Sequence, residues 1–424
     1  MSVEPFLARH AVDRTGTRVL PGRYDVSSCL WMVPTPEGER PLVDSDIQLA
    51  ELTTKTKVHN EQDDEGMHVV QLAAGTHTAV NMEQDDAPPP PCSAHCDVHG
   101  SRSRGRRPPL ILLITNSEDI TSDFVVLELR RRGIRFHRFN TDHADNLAPT
   151  FRLDESGPSW TLMVDGESME TSVFTGAYFR RPALPASASR VDPAFQDHVK
   201  GEWTSFFGSF YAALACPWLN SPHAIALAED KPRQLSLAYE LGFRLPQTLV
   251  SNQYKNVHQF GNNIDIVAKP LKSGRMTVEG EERIVFTTRI AALTEADAPS
   301  IKVNPVIYQQ EVGRTEDLRV TVVDGQVFAC RIQQLAREDV DWRRKDPSDL
   351  RYEAVTLPLV LQERCVSLVR QLGLRFGAID LIEDESGEPW FLEINPNGQW
   401  AWIERKAALP ISAAIVNALT GAAG

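Results

Sequence analysis

Asp380, Glu393 and Asn395 are the side chains whose types and spacing most directly invite chemistry. Asp380 closes the apolar core of GAIDLI, and Glu393 and Asn395 stand two residues apart in FLEIN. Residues i and i+2 of a strand share a face, so two paired strands would present three oxygen-bearing side chains together. That donor set suits a hard cation such as Mg²⁺. A polar edge kept for solubility is the plainer alternative, although an acid inside LEI is costly unless paired or coordinated. Lys231 and Lys269 each precede a proline. A lysine at the end of a strand reaches a phosphate as a point charge, and it can equally be merely solvated. Ser273 and Gly274 follow closely and could offer backbone amides over a phosphate. Arg319 and Arg331 lie in or around a candidate hairpin and could clamp a carboxylate or a transferring phosphoryl group. Ordinary surface ion pairs would also account for them.

The elements that must hold these groups can be read along the chain. LILLIT, from Leu110, is a near-continuous apolar run expected of a buried parallel strand. A helix over 121–132 follows, with Thr121 or Ser122 as its cap and Gly133 ending it. IRFHRFN is the next strand, which makes a βαβ opening. Short strands are expected around FRL, WTLMV and AYFRR, then a helix over 193–213. ALAEDKPRQLSLAYELGF has helical spacing closed by Gly242, and DIVAKP, the alternating end of SGRMTVEGEERIVFTTRI and VIYQQEV read as strands. DLRVTVVDGQVFACRI reads as two strands joined at Asp324-Gly325, a strong hairpin signal. A helix over 357–372 precedes two final strands around a polar turn. The expected class is α/β with α+β subdomains grouped around a cleft.

Residues 1–109 differ from the rest. Residues 53–91 have few apolar side chains and cannot repay their ordering entropy by burial. Four prolines at 88–91 and the later SRSRGRRPP read as a linker. A short stretch, SVEPFLARHAV, could form an amphipathic helix with Ser2 or Glu4 near its start and Pro5 in its first turn. One pattern occurs twice: Thr54, Thr56, Glu61, Asp63 and Asp64 map onto Thr76, Thr78, Glu83, Asp85 and Asp86 at an offset of 22. Two copies are too few for a solenoid, and solvated disorder is the competing reading. Cys92, Cys96 and His99 could start a metal site but lack the usual second pair nearby, so incidental thiols in a linker are the reading adopted.

The 424 residues suggest two to four domains, and 42% hydrophobic content allows a large core. A net charge of −13 argues against a general nucleic-acid binder. Six cysteines in so long a chain are not a disulfide framework and point to a reducing, cytoplasmic compartment. Neither a signal peptide nor a run long enough to span a bilayer is evident, so no membrane partner is expected.

Lys231, AKP at 268–270, IYQQEV at 307–312, DLRVTVVDGQVFACRI at 317–332 and FGAIDLI…FLEINPNGQW at 376–400 together resemble the ATP-grasp ligases. With ILLITNSEDITSDFVVLELRRRG, YFRRP at 178–182 and AEDKPRQLSLAYELGFRLPQTLVSN, the likeness is to the maturases of microviridins and related graspetides. It covers about residues 110–415. The resemblance implies an ATP-grasp fold behind a pre-ATP-grasp α/β domain, with ATP and two Mg²⁺ ions as cofactors. It implies that Lys231 and Lys269 hold nucleotide phosphates, with Ser273 and Gly274 beside them, and that Gln309, Gln310, Glu311 and Val312 form the hinge over adenine. Which of Gln310 and Glu311 is the hinge's polar contact stays open. Asp317 resembles a ribose-side or hinge-proximal acid, Arg319, Arg331 and Lys269 the catalytic cations, and Asp380, Glu393 and Asn395 the metal triad.

The same family acts on precursor peptides with a leader helix and a Thr/Ser–Asp/Glu core. Pro5, Phe6, Leu7, Ala8 and Arg9, within PFLARHA, resemble the microviridin leader motif PFFARFL, departing at its second and final aromatic positions. The resemblance thus implies a precursor fused to its ligase: a leader-like helix over 1–20, a precursor region over 21–91 with core-like repeats at 53–65 and 76–86, and a linker over 92–109. An N-terminal α/β domain would span 110–220, a central ATP-grasp subdomain 221–305 and a C-terminal one 306–424. Activation of a side-chain carboxylate as an acyl phosphate, captured by a threonine hydroxyl, would close ω-esters. Donors would be Glu61, Asp63, Asp64, Glu83, Asp85 and Asp86, and acceptors Thr54, Thr56, Thr76 and Thr78. Lys55 and Lys57 could instead form amides, but the second copy has His77 and Ala79 there. A homodimer, with the precursor offered in cis or from a partner subunit, is expected from the family. The competing expectations are a carboxylate–amine ligase acting on a small molecule or forming lactams, and a non-catalytic nucleotide-binding regulator.

Overall fold

The computed structural model describes residues 11–13, 23–25, 30–35, 38–41, 108–144, 148–272, 275–278, 281–290, 292–334 and 350–421. Regular structure begins well before Leu110. Strands β1 (Ala11–Asp13), β2 (Arg23–Asp25), β3 (Leu30–Thr35) and β4 (Gly38–Pro41) lie in the front segment, and β2–β3–β4 is an antiparallel meander. The run Leu30-Trp31-Met32-Val33 has the residues that strands favour, a local signal lost when the whole segment is averaged. The helix expected over 1–20 does not hold at Ala11–Asp13, which is extended. The leader motif Pro5–Arg9, both threonine–acid repeats and Cys92, Cys96 and His99 lie outside the described residues.

The βαβ opening is as expected. β5 (Leu110–Thr115) is buried along its whole length and is flanked by parallel β6 (Arg135–Asn140), reached through α1 (Ile120–Arg131). Gly133 ends that helix turn at φ 66°, a conformation that favours glycine. The helix is not capped by Thr121 or Ser122, which sit in its first turn. Asp119 is the N-cap residue, and its side chain makes no cap bond. An antiparallel meander of β7 (Thr150–Asp154), β8 (Gly157–Val164) and β9 (Glu167–Glu170) follows. β10 (Gly176–Phe179) then completes the first sheet as β10–β5–β6. Helix α2 (Pro193–Ala213), capped by Asp192, packs Phe207, Phe210 and Tyr211 against Phe139 and Phe179.

Helices α3 (Pro222–Ala228) and α4 (Lys231–Glu240) lead into the second body. The Asp230 carboxylate accepts from Arg233 N, and Pro232 fills the first turn, so the start of α4 is fixed at Lys231. After β11 (Thr248–Ser251) and α5 (Tyr254–Gly261) come β12 (Ile266–Lys269), a hairpin of β13 (Arg275–Val278) and β14 (Glu281–Val285), then β15 (Thr288–Ile290) and β16 (Val306–Gln310). The sheet order is β11–β16–β12–β15. β16 therefore belongs to the central sheet, and the expected boundary at 306 moves past Gln310. β1 pairs antiparallel with β14, Val12 opposite Ile284.

The third body is a five-stranded sheet, β19–β18–β17–β20–β21. β17 (Arg314–Val323) and β18 (Gln326–Gln334) are joined at Asp324 and Gly325, whose φ values of 49° and 90° are those of a two-residue primed turn. β19 (Leu350–Val355), α6 (Leu359–Gln371), β20 (Phe376–Asp384) and β21 (Pro389–Asn395) complete it, followed by α7 (Ala401–Ala407) and α8 (Ile411–Thr420). One face packs Leu318, Val320 and Val322 against Leu361, Cys365 and Leu368 of α6. The other packs Val323, Cys330 and Ala378 with Trp400, Ile403 and Ile415 of the C-terminal helices.

Candidate active site

Cross-strand register assembles the centre of the site. Arg319 lies opposite Asp380, Asp380 opposite Glu393, and Ala378 opposite Asn395. Directly opposed residues of antiparallel strands share a face, so Arg319, Asp380, Glu393 and Asn395 form one polar patch on the face away from α6. A bulge between Asp380 and Leu381 lets Leu392 drop out of register and keeps Glu393 beside Asp380. Arg319 Nη1 donates to Asp380 Oδ1 at 2.6 Å. Lys231 Nζ, at the first residue of α4, is ion-paired with Glu393 Oε2. Each carboxylate is thus balanced by a cation while remaining about a quarter exposed, 27% for Asp380 and 24% for Glu393. Asn395 Oδ1 accepts from Asn397 N at 2.9 Å, which fixes the amide and leaves the oxygen a second lone pair.

Among the described residues no group of three or more His, Cys, Asp and Glu side chains converges on one point. The candidate cation site is two carboxylates and one amide oxygen. All are hard donors, partly open to solvent, and the set fits Mg²⁺.

Several residues that the sequence did not single out hold this patch. Gln234, three residues into α4 from Lys231, brackets Ile394: its Nε2 donates to Ile394 O at 2.8 Å and its Oε1 accepts from Ile394 N at 3.1 Å. An i, i+3 relation to Lys231 was the available clue. Gly398 lies so close that a Cβ there would stand 2.5 Å from Ala378 Cβ and 2.8 Å from Arg319 Nη2. Burial pushes the Glu229 carboxyl up, and the charges of Lys272 and Lys231 oppose that shift.

Lys269 is the last residue of β12 and lies opposite Ile307 of β16. Ser273 and Gly274, beyond it, are outside the described residues. Gln309 is buried, and its amide donates to Thr248 Oγ1 at 2.9 Å. Gln310 Oε1 accepts from Gln247 N at 3.3 Å, and the Glu311 carboxylate is paired with Arg289. Val312 lies in the short link between β16 and β17, so these four residues span the junction of the two bodies. Asp317 shares the face of Arg319 and is held by Arg314 Nη1 at 3.1 Å and Gln334 Nε2 at 3.3 Å.

Arg331 is the exception. It lies opposite Leu318, one residue out of phase with Arg319, and so on the α6 face of the sheet. There its Nε meets Glu316 Oε2 at 2.6 Å and its Nη2 lies 3.3 Å from Glu383. The expected catalytic role for Arg331 is not supported: strand alternation carries it away from Asp380 and Glu393.

Residues 110–226 match the family model of the MvdD pre-ATP grasp domain, and residues 228–419 that of the RimK-like ATP-grasp domain. A RiPP-associated ATP-grasp ligase of Chryseobacterium gregarium, solved with ADP and a leader and core peptide, superposes with a TM-score of 0.68 at 23% identity over 74% of this chain and 98% of that one. The macrocyclase MdnC of Microcystis aeruginosa, bound with precursor peptide MdnA, gives 0.65 at 24% identity over 74% and 99%. The macrocyclase MdnB of the same organism gives 0.60 at 27% over 74% and 99%. A probable alpha-L-glutamate ligase of Psychromonas ingrahamii is 26% identical over 183 residues, 42% of this chain and 58% of that relative's length.

Proposed function

The chain belongs to the ATP-grasp ligases of the microviridin and graspetide maturase family, and from that premise we propose that it is an ATP-dependent macrocyclase acting on its own fused front segment. The observation that carries this reading is the repeat. Two copies of Thr-x-Thr followed, after four intervening residues, by Glu-Gln-Asp-Asp precede the ligase in one chain. A solved relative of the same fold holds a leader and core peptide, and another is named a macrocyclase.

ATP and Mg²⁺, when bound, supply a transferable γ-phosphoryl group and neutralise its charge. Asp380, Glu393 and Asn395 would hold the cation, and Lys231 and Lys269 the phosphates. Ser273 and Gly274 would lie over the phosphates, and Gln309, Gln310, Glu311, Val312 and Asp317 beside the nucleoside. Arg319 is the cation suited to meet the activated carboxylate. A carboxylate oxygen of Glu61, Asp63, Asp64, Glu83, Asp85 or Asp86 takes the phosphoryl group, and ADP departs. The hydroxyl of Thr54, Thr56, Thr76 or Thr78 then attacks the acyl carbon, and inorganic phosphate leaves as the hydroxyl proton is lost. The peptide loses one water per ester. A fused substrate reaches an effective concentration in the millimolar range for a suitable tether, which compensates for a leader motif short of two aromatic residues. A homodimer is part of the same proposal.

Hydroxylamine tests the bond type. After incubation with ATP and Mg²⁺, rings closed by esters open in hydroxylamine and rings closed through Lys55 or Lys57 amides survive it; resistance of every ring would overturn the ester assignment. The RimK-like family match and the glutamate-ligase relative favour a second reading, amide formation on a separate acid and amine. Phosphate release that needs an added small amine, with the front segment unaltered, would select it.

A further inference from the structure

Four successive carbonyls after β21 are held by side chains from elsewhere. Pro396 O accepts from Asn220 Nδ2 at 2.9 Å. Asn397 O and Gly398 O accept from Arg180 Nη1 at 3.2 and 3.1 Å. Gln399 O accepts from Arg319 Nη2 at 3.2 Å. Arg180 follows directly on β10 and is 1% exposed. Its Nε donates to Asp119 at 3.1 Å. Asp119 is the N-cap residue of α1 whose carboxylate makes no cap bond; it accepts instead from Ser122 Oγ at 2.5 Å and Thr115 Oγ1 at 3.2 Å. Burial pushes the Asp119 carboxyl up, but the Arg180 guanidinium, the Ser122 hydroxyl and the nearby Arg181 and Arg138 outweigh it. The group sits below the usual carboxylate range.

The two ends of this chain of contacts belong to different bodies. Asp119, at the start of α1, and Arg180, just after β10, belong to the body built on the β10–β5–β6 sheet, and the loop that Arg180 holds continues from β21. The loop starts at Asn395, a candidate cation ligand, and its fifth residue is bonded to Arg319. A helix cap is forgone so that Asp119 can orient a buried guanidinium. A guanidinium can serve a carboxylate and two carbonyls at once through its fixed fork, whereas an ammonium presents a single point.

We propose that Arg180, oriented by Asp119, is a positioning residue for the ligase reaction: it fixes the 395–399 loop and so sets the Asn395 amide and the Arg319 guanidinium in their working geometry. Arg180 touches no reacting atom, and its role in catalysis rests on the ligase reading of the site. Misplacement of catalytic groups by about 1 Å costs on the order of 10²-fold. Arg180→Lys keeps the charge and loses the fork. It is expected to lower kcat for ATP turnover about 10- to 100-fold while KM for ATP moves less than about twofold, because the Gln309–Val312 link is untouched. Amides of 395–400 in the nucleotide-free protein should exchange hydrogen faster. Arg132→Lys disturbs the Arg132 fork to Glu128 and to Asn417 and Ala413 O of α8, and touches neither Asp119, Arg180 nor the loop. It should lower Tm and leave kcat and loop exchange unchanged. If Arg180→Lys fails to fold, Asp119→Asn should show the same kcat-selective loss. Wild-type kcat or unaltered loop exchange in Arg180→Lys, or an equal kcat loss in Arg132→Lys, would overturn the proposal. Faster loop exchange in a protein that turns over no ATP would instead sink the ligase reading and leave the clamp standing.

Discussion

Arg319 and Asp380 face each other across β17 and β20, joined by an Nη1–Oδ1 ion pair of 2.6 Å, and Arg319 also holds Gln399 O. One side chain thus ties the candidate cation ligand to the loop beyond β21. Asp380→Asn keeps the shape, removes the charge and leaves Arg319 without its carboxylate. ATP turnover should fall by about 10²- to 10³-fold, with the fold intact by circular dichroism. Turnover within threefold of wild type would remove Asp380 from the site.

Gly398 gives a steric test of the same region. A Cβ there would crowd Ala378 Cβ and Arg319 Nη2 at 2.5 and 2.8 Å, closer than real Cβ atoms come. Gly398→Ala must therefore move the loop or the arginine. Overpacking of this kind costs about 1–3 kcal/mol. The expected outcome is a lower Tm together with at least a tenfold loss of kcat, roughly as for other small displacements of catalytic groups. A fully active Gly398→Ala protein would show that the loop adjusts freely.

Arg331 supports the opposite expectation. Its partners are Glu316 and Glu383 on the α6 face. Arg331→Gln should cost about 1 kcal/mol of stability, as a half-exposed ion pair does, and leave kcat within about threefold. A loss of ATP turnover comparable to that of Asp380→Asn would return Arg331 to the chemistry.

His137 on β6 sets a pH dependence of stability. Burial pushes its imidazole down to about 4, with Asp165 opposing. Between that value and the ordinary 6.5 the unfolded chain binds a proton that the folded chain does not, so folding weakens as pH falls through this window. The slope is up to about 1.4 kcal/mol per pH unit. Denaturant midpoints of His137→Gln should vary less between pH 6.5 and 4.5 than those of wild type. Equal slopes would show that His137 titrates normally in the fold.

The Asp380–Glu393–Asn395 row was legible because strand alternation is strict, and the hairpin because Asp324-Gly325 admits few turns. Arg331 shows the same rule left unused. A two-residue turn at 324–325 puts Val323 opposite Gln326 and hence Arg319 opposite Cys330. The parity that sends Arg331 to the far face was in the sequence. Arg180 and Asn220 were not legible as site residues, and Gln234 only through its i, i+3 relation to Lys231. Each acts on backbone more than 150 residues away, and no local pattern records such a bond. β16 was placed one body too late because a strand's partners, unlike its composition, are set by the fold.

The central claim concerns the chain's own covalent state, and intact mass reads it directly. Purified full-length protein, given ATP and Mg²⁺, should become lighter by whole waters, about 18 Da for each ester closed by attack on an activated acid. The loss should map by fragmentation to residues 53–86 and be absent in Glu393→Gln. An unchanged mass while ATP is consumed would contradict the account.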